Sequence, residues 1–569
     1  MTSQMLDPKQ MIIGKVAEME TFYNADIRLL KSRFSSPGYH TQIKQTDFIH
    51  STRNSVIYAL ALLDTELPEY ERRSFDILGQ IVSLQDTDRS RNTFGIWSWF
   101  YEEPLDQMSP PDWNWADFIG KQLVLAVKRH GHRFPEALRA SVIQSIGYAC
   151  DAIMKRDVGP SYTNIAIMGA FVTLIAGELL GRQEYAEYGL QRLKKLYAHT
   201  EKRRVFQEYN SPTYTHIAIL ELSKIKAETV NEEAKRLSDA LLHMTWKTVA
   251  EHFHAATKQW SGPHSRCYST LLSDSCKAFL QLATGGKLLF FPWEELPYDT
   301  EWYESGMECP PEFADWFVIR EERELRQLYA GDEGDGTARR ATTWMQPHYS
   351  LGSFDHEMLW NQKRALLAYV DNGGEPTYMQ LRFLHEGYDY CSAMFKSRQE
   401  REYVLFGIDF LANGGDTHPN LDRIDGSVEA SDFRLRLELG GQLAGVAAVA
   451  DTDGGEVTIS IGQERIRLQT WFAAFSESEA DAADRAPAFA WEINELGDKL
   501  GVDLVVYSGE PRIIDFRQIT EAGFVFSLRI GSGSERPAPS LRQTDDRLIV
   551  TGSGQEEPAF SLNLRPVHI

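Results

Sequence analysis

Cysteine is scarce in this chain: five in 569 residues, at Cys150, Cys267, Cys276, Cys309 and Cys391. An odd number with no Cys-x-x-Cys spacing disfavours both a disulfide framework and a cysteine zinc site. Positive charge is short as well. Lys and Arg number 59 against 81 Asp and Glu, a net charge of −22, so no basic field exists to attract nucleic acid or an anionic membrane. An anionic substrate would need a local cluster of Arg, Lys or Asn acting against the global field. No run is long enough to span a membrane, and Met1-Thr-Ser-Gln-Met-Leu-Asp-Pro8 lacks the basic and apolar regions of a signal peptide, so a cytoplasmic location is expected. No sequence period is sharp enough to name a repeat family. His348, Asp355 and His356 are close in sequence but lack a ligand spacing, and neither a metal nor an organic cofactor is expected.

What the chain does have is apolar and flat. It is 43% hydrophobic and 11% aromatic with 13 Trp, and its length calls for two or more domains. From about Asp7 to Tyr329 apolar residues recur at three- and four-residue spacing. Helices are predicted over Met11–Leu30, Ser55–Leu63, Phe118–Lys128, Leu138–Met154, Asn164–Leu180, Tyr185–Tyr197, Tyr214–Ile225 and Ala234–Phe253. Short polar links between them imply antiparallel neighbours in a bundle, solenoid or toroid. The run Glu321-Glu-Arg-Glu-Leu-Arg-Gln-Leu328 reads as a last helix and Ala330–Thr337 as a Gly/Asp linker. Beyond it strand patterns take over at Ala365–Val370, Tyr403–Phe410, Phe433–Leu439, Val457–Ile461, Ile466–Phe475, Val502–Tyr507, Gly523–Ile530 and Leu548–Thr551. The expected architecture is therefore α then β: a helical domain over residues 1–335 and an antiparallel β-sandwich over 336–569.

The stretch Phe206-Gln-Glu-Tyr-Asn-Ser-Pro-Thr-Tyr-Thr-His216 gathers proton-handling groups at a helix entrance. Ser211 followed by Pro212 is a helix-start signal, which would put Tyr214 in the first turn. The plainer reading is a capped helix with a core tyrosine. Two aromatic stretches, Phe94–Tyr101 with Trp97 and Trp99, and Pro110–Asp117 with Trp113, Asn114 and Trp115, set tryptophans beside polar groups in loops. They read either as sugar-stacking platforms or as an apolar seal over helix ends. Three further clusters carry chemistry: Gly159–Asn164 at a helix start, where an anion can be met; Trp260–Tyr268, presenting His264, Arg266 and Tyr268; and Trp344–Gly352, presenting His348 and Tyr349.

Together these groups supply what β-elimination from a uronic acid requires. The C5 proton becomes acidic once the neighbouring carboxylate is neutralised, a task for Asn and Arg. A base then takes that proton and an acid protonates the departing O4, for which Tyr or His suffices.

Asn164…Ala170…Gly177-Glu-Leu-Leu-Gly181 and Phe206–His216 resemble the two toroid signatures of heparinase II/III-like polysaccharide lyases. The resemblance implies an N-terminal (α/α) toroid followed by a C-terminal antiparallel β-sandwich, and a carbon–oxygen lyase acting on polysaccharides. It implies that Asn164 neutralises the carboxylate and that Tyr214 is the catalytic tyrosine. The family commonly has His directly after that Asn, where this chain has Ile165. His264 is then the candidate base, with Arg266 aiding neutralisation and Tyr268 a second proton carrier. Glu208, Asn210, the loop tryptophans and Asn114, His348 and Tyr349 are the candidate substrate-binding residues.

The leading expectation is cleavage of an acidic, uronate-containing oligosaccharide or polysaccharide, imported into the cell, to a 4,5-unsaturated uronate product. Whether the protein forms a homo-oligomer is left open. A glycoside hydrolase on an α/α toroid is the second reading, with Glu208 and Asp112 or Asp117 as the paired carboxylates. A glycan-binding protein without activity is the third.

Overall fold

The computed structural model describes residues 7–36, 40–451, 454–477, 489–531 and 536–569; most of the N-terminal stretch Met1–Pro8 considered above lies outside them. The chain forms two compact units. The first comprises Met1–Glu208, Tyr214–Lys247 and Asp274–Pro311; the second comprises Tyr209–Thr213, Thr248–Ser273 and Glu312–Ile569.

The first unit is built from helices α1 (Pro8–Glu20), α2 (Thr52–Asp64), α3 (Pro68–Ser83), α4 (Trp115–His130), α5 (Glu136–Arg156), α6 (Thr163–Leu180), α7 (Gln183–Glu201), α8 (Thr215–Glu228), most of α9 (Glu232–His252), and α10 (Asp274–Ala283). Helices α2, α4, α6 and α8 pack successively side by side, and α3, α5 and α7 each fold back on the helix before. An inner series and an outer series result, the arrangement of an (α/α) toroid. Burial follows it: α6 is buried from Thr163 through Gly177, whereas α3 buries only the stripe Ser74, Ile77, Leu78 and Ile81. By length and composition α6 could cross a membrane, but 83% of it is buried inside the fold, as in a core helix.

Two predicted helices end or change identity. The pattern read from Met11 to Leu30 breaks at Glu20, and Tyr23–Asn24 and Leu29–Ser35 are strands. Asn24 Oδ1 accepts the N–H groups of Asp26 and Ile27 at 3.0 and 3.4 Å, an Asx turn that reverses the chain. The run at Glu321–Leu328 is not helical either: Arg323–Ala330 is a strand paired antiparallel with Arg339–Gln346. Its charges at helical spacing are decoration on a period-two pattern.

The second unit holds a nine-stranded and a seven-stranded sheet, antiparallel throughout, among the described residues. The first runs from Trp491–Glu495 through Lys499–Asp515, Ser427–Gly441, Glu375–His385, Leu366–Asn372, Tyr349–Phe354 and Arg339–Gln346 to Arg323–Ala330, with Tyr388–Asp389 as a ninth strand paired to the end of Glu375–His385. The second runs from Ala447–Ala450 through Glu456–Ile461, Glu464–Ser476, Glu521–Ile530, Tyr403–Phe410 and Ala393–Glu400 to His356–Met358. Phe383 of the first sheet meets Phe410 of the second edge-on with ring centroids 5.1 Å apart, at the centre of an aromatic core with Phe433, Phe475 and Phe516. The order helices then antiparallel sheets is the one expected from the sequence.

Candidate active site

In the first unit the N-terminal ends of the inner helices form one polar, aromatic rim. Thr52, the first residue of α2, donates its hydroxyl to the Ser98 carbonyl at 2.7 Å and receives the Trp115 indole N–H at 3.0 Å. Trp99 stacks on Trp115, ring centroids 5.1 Å apart, and its own N–H reaches Asp112 Oδ2 at 3.1 Å. Asp112 Oδ1 accepts the Asn114 backbone N–H at 3.0 Å, and Asn114 bridges Arg156 and the Tyr162 hydroxyl at 2.5 and 3.3 Å. Trp113 donates to the Asn92 carbonyl at 3.3 Å. Thr52, Arg156 and Tyr162 escaped the sequence reading because their partners lie tens of residues away; only the Ser51 cap before Thr52 was a local signal.

The next two inner helices bring the residues of the resemblance to this rim. Asn164 lies in the first turn of α6, nearly fully buried, and its backbone N–H is received by Glu208 Oε2 at 3.2 Å. A carboxylate at a helix N-terminus is favourably placed against the dipole. Among the described residues Asn164 Oδ1 and Thr163 Oγ1 have no hydrogen-bond partner although both are buried. A buried polar atom left unpaired is costly in a folded protein and marks a place where a ligand group can pair with it. Tyr214 is the N-cap residue of α8, half-buried, and α8 packs against α6. The helix starts later than Ser211-Pro212 suggests. The Ser211 hydroxyl donates to the Arg266 carbonyl at 2.6 Å within the second unit.

Trp97, an expected substrate-binding residue, does not serve as one. Trp97 is fully buried and gives its N–H to the Ile81 carbonyl at 2.8 Å, so it presents no face to a sugar. Ile165 is also buried, and its carbonyl receives Arg192 Nη2 at 3.1 Å; the position belongs to the helix packing. Asp117 is fully buried beside Arg192 and Gly169, and burial outweighs the arginines Arg192 and Arg156 to push its carboxyl up to about 7.

The second unit holds Asn210, His264, Arg266, Tyr268, His348 and Tyr349. Asn210 is structural, in correction of its expected substrate role. Its backbone is left-handed (φ 48°), its Nδ2 donates to the Ser261 and Pro263 carbonyls at 2.7 and 2.9 Å, and its Oδ1 receives the Trp260 N–H at 2.5 Å. His264 completes that knot. It is fully buried, and its Nδ1 lies 2.6 Å from the Asn210 carbonyl, which fixes the neutral Nδ1–H tautomer. Burial drives its pKa down to about 3, the Asn210 carbonyl offsetting only part. A ring so enclosed secures the turn and is not an accessible base. Tyr349 is likewise buried, and burial pushes its hydroxyl above the ordinary value. His348, at the turn before Tyr349, is about half-exposed with Nδ1 3.8 Å from Asp371. Arg266 lies over the Trp360 ring at 5.3 Å, a cation–π contact, and Tyr268 is 59% exposed, its backbone N–H on Thr213 Oγ1 at 3.2 Å.

Residues 20–280 match a family model described as a domain of unknown function, DUF8769. Among curated proteins none matches the chain by sequence. By structure, heparinase III is similar at a TM-score of 0.46 and 11% identity, over 99% of this chain and 92% of that one. The Streptomyces coelicolor A3 chondroitin AC lyase in complex with chondroitin sulphate is similar at 0.47 and 11%, over 96% and 83%. The chain is similar to polysaccharide lyases. The heparan sulfate lyase HepC from Pedobacter heparinus, as a mutant, follows at 0.34 and 9%, over 99% and 90%. The likeness is one of fold.

Proposed function

We propose that the protein is a lyase that cleaves a uronate-containing oligosaccharide or polysaccharide by β-elimination, with the rim of the first unit as its catalytic floor. The observation that carries this reading is the pair Asn164 and Tyr214, one in the first turn of α6 and one at the N-cap of α8, on helices that pack together. The Asn164 side-chain amide donates to the substrate carboxylate, lowering the cost of charge that develops at C5. With His264 enclosed, Tyr214 takes both proton steps. As phenolate it removes the C5 proton, the C4–O4 bond breaks as C4=C5 forms, and the same hydroxyl returns the proton to O4. Trp99 offers its face to a neighbouring sugar.

The hydrolase reading loses support at its carboxylates: Glu208 holds the Asn164 N–H and Asp117 is enclosed. Mass spectrometry of the products separates the two chemistries. Elimination yields fragments whose masses sum to that of the substrate, one being unsaturated; fragments carrying one added water would refute the lyase reading. We place the enzyme in the cytoplasm, acting on imported fragments. All five cysteines are free thiols, four of them buried, as suits a reducing compartment.

A further inference from the structure

Helices α6 and α7 meet through glycine at three places, and the third is unlike the other two. Gly177 lies against Ala186 and Gly189 against Leu174, each so near that a Cβ would strike backbone. Further toward the N-terminus of α6, Gly169 lies against Arg192, and the room left by the missing Cβ holds a guanidinium. A Cβ at Gly169 would lie 2.9 Å from Arg192 Cζ, from Arg192 Nη2 and from Asp117 Oδ1. Glycine inside a helix costs stability relative to alanine; here it admits a buried cation.

Arg192 stands in the inner stripe of α7, whose other members are Tyr185, Gly189, Leu193, Leu196 and Thr200. Only 5% of it is exposed. Among the described residues it makes no ion pair with a carboxylate. Its Nε donates to the Ala166 carbonyl at 3.0 Å, its Nη2 to the Ile165 carbonyl at 3.1 Å and its Nη1 to the Tyr188 hydroxyl at 2.9 Å. Ile165 and Ala166 directly follow Asn164. Their carbonyls are interior to α6, where the N–H groups four residues on, at Gly169 and Ala170, serve them in the helical pattern. The bonds from Arg192 are therefore second bonds to acceptors that the helix itself satisfies, using the carbonyl's other lone pair. Taking a guanidinium out of water without an ionic partner is expensive, and helix satisfaction does not call for it. What the bonds do is fix the first turn of α6 from behind. They also set a positive charge beneath that turn. Asp117 opposes the charge from α4, but burial pushes its carboxyl up to about 7, so near neutrality the offset is partial.

We propose that Arg192 is a positioning residue of the active site: through the Ile165 and Ala166 carbonyls it holds the first turn of α6 so that the Asn164 side chain meets the substrate carboxylate. Buried between helices, it acts only through α6. The inference rests on the lyase reading of Asn164, and it gives Gly169 a purpose, since any larger residue there would displace the guanidinium. A merely structural arginine could be replaced at a cost in stability alone. A positioning arginine is replaced at a cost in turnover by molecules that remain folded.

The test is a double-mutant cycle on the full chain, with turnover counted per folded molecule from circular dichroism. The substrate is whichever of an alginate, glucuronan, heparan or chondroitin oligosaccharide the native protein cleaves fastest. Arg192→Gln should lower kcat about tenfold or more, the loss falling on kcat more than on KM. Arg192→Lys keeps the charge without the fork and should fall between. Gly169→Ala displaces the guanidinium without removing it and should repeat the loss, which covers the case in which Arg192→Gln does not fold. In an Asn164→Ala background, Arg192→Gln should change kcat by no more than about twofold, because the residue it positions is gone. Native kcat per folded molecule in both Arg192→Gln and Gly169→Ala, or losses that multiply in full with Asn164→Ala, would overturn the proposal. Hydrogen exchange reads the positioning without turnover: residues 165–170 should lose protection in Arg192→Gln while α8 keeps its own. Equal protection at 165–170 would likewise overturn it. Lost protection there in a protein whose native form eliminates nothing would refute the lyase reading and leave the hold of Arg192 on α6 standing.

Discussion

At the scale of single residues, the proposed chemistry rests on Asn164 and Tyr214, and the enclosed histidines carry the pH response. Replacing Asn164 by Ala should lower kcat by about 10²–10³-fold, the usual effect of deleting one donor to developing negative charge. Circular dichroism should remain native; near-normal turnover would remove Asn164 from the site. His252, His254, His264 and His356 have pKa values driven down by burial to about 4, 4, 3 and 4 from an ordinary 6.5. Each is neutral when folded and takes up a proton only on unfolding between those values. The stability they allow is complete above about pH 6.5 and is lost as pH falls toward 4, at about 1.4 kcal/mol per pH unit for each ring. Urea unfolding of His264→Gln should therefore show a shallower decline from pH 6.5 to 4 than the parent protein. An unchanged slope would mean that His264 is solvated and free to titrate, and its candidacy as a base would return.

At the scale of elements, the hairpin of α6 and α7 sets the ring, and two glycines make it possible. A Cβ at Gly177 would lie 2.2 Å from the Ala186 backbone nitrogen, and one at Gly189 2.5 Å from that of Leu174. Backbone cannot step aside as a side chain can, so Gly177→Ala should cost about 1–3 kcal/mol or more in chemical denaturation; a neutral result would mean the helices are further apart than described. The turn Thr300–Trp302 ties the ring from inside. Glu301 meets Lys121 Nζ at 2.6 Å and Lys224 at 3.5 Å, and Lys121 also meets Glu221 at 2.6 Å; Lys121, Lys224 and Glu221 are fully buried and Glu301 mostly so. Glu301→Ala leaves two buried ammonium groups to one carboxylate and should cost about 3–5 kcal/mol. Local signals explain which parts of this were readable beforehand. The apolar periodicity of α4 to α9 is strong and survives folding, as does the alternation in the strands. The failures at Leu29–Ser35 and Arg323–Ala330 came where an Asx turn overrode an apolar helical spacing and where strand pairing overrode a charged run. Asn164 and Tyr214 were visible through their place at helix starts, but the enclosure of His264 depends on Asn210, 54 residues away, and no local pattern contains it.

At the scale of the whole molecule, an acidic protein is expected to act on an acidic glycan. With −22 net charge, approach is opposed at long range and made favourable only by local groups. Raising ionic strength from about 0.01 to 0.15 M shortens the screening length from about 30 to 8 Å. The value of kcat/KM on a short acidic oligosaccharide should rise across that range; a steady fall would show that local arginine contacts dominate the encounter. The most direct test of the central claim is ultraviolet absorbance in the band of a 4,5-unsaturated uronate. It is followed with alginate, glucuronan, heparan, chondroitin and rhamnose–glucuronate oligosaccharides, using the native protein and Tyr214→Phe side by side. The account predicts a rise with at least one of these for the native protein and a loss of about 10²-fold or more in the variant. A flat trace with all five, or equal rates in the two proteins, would contradict it.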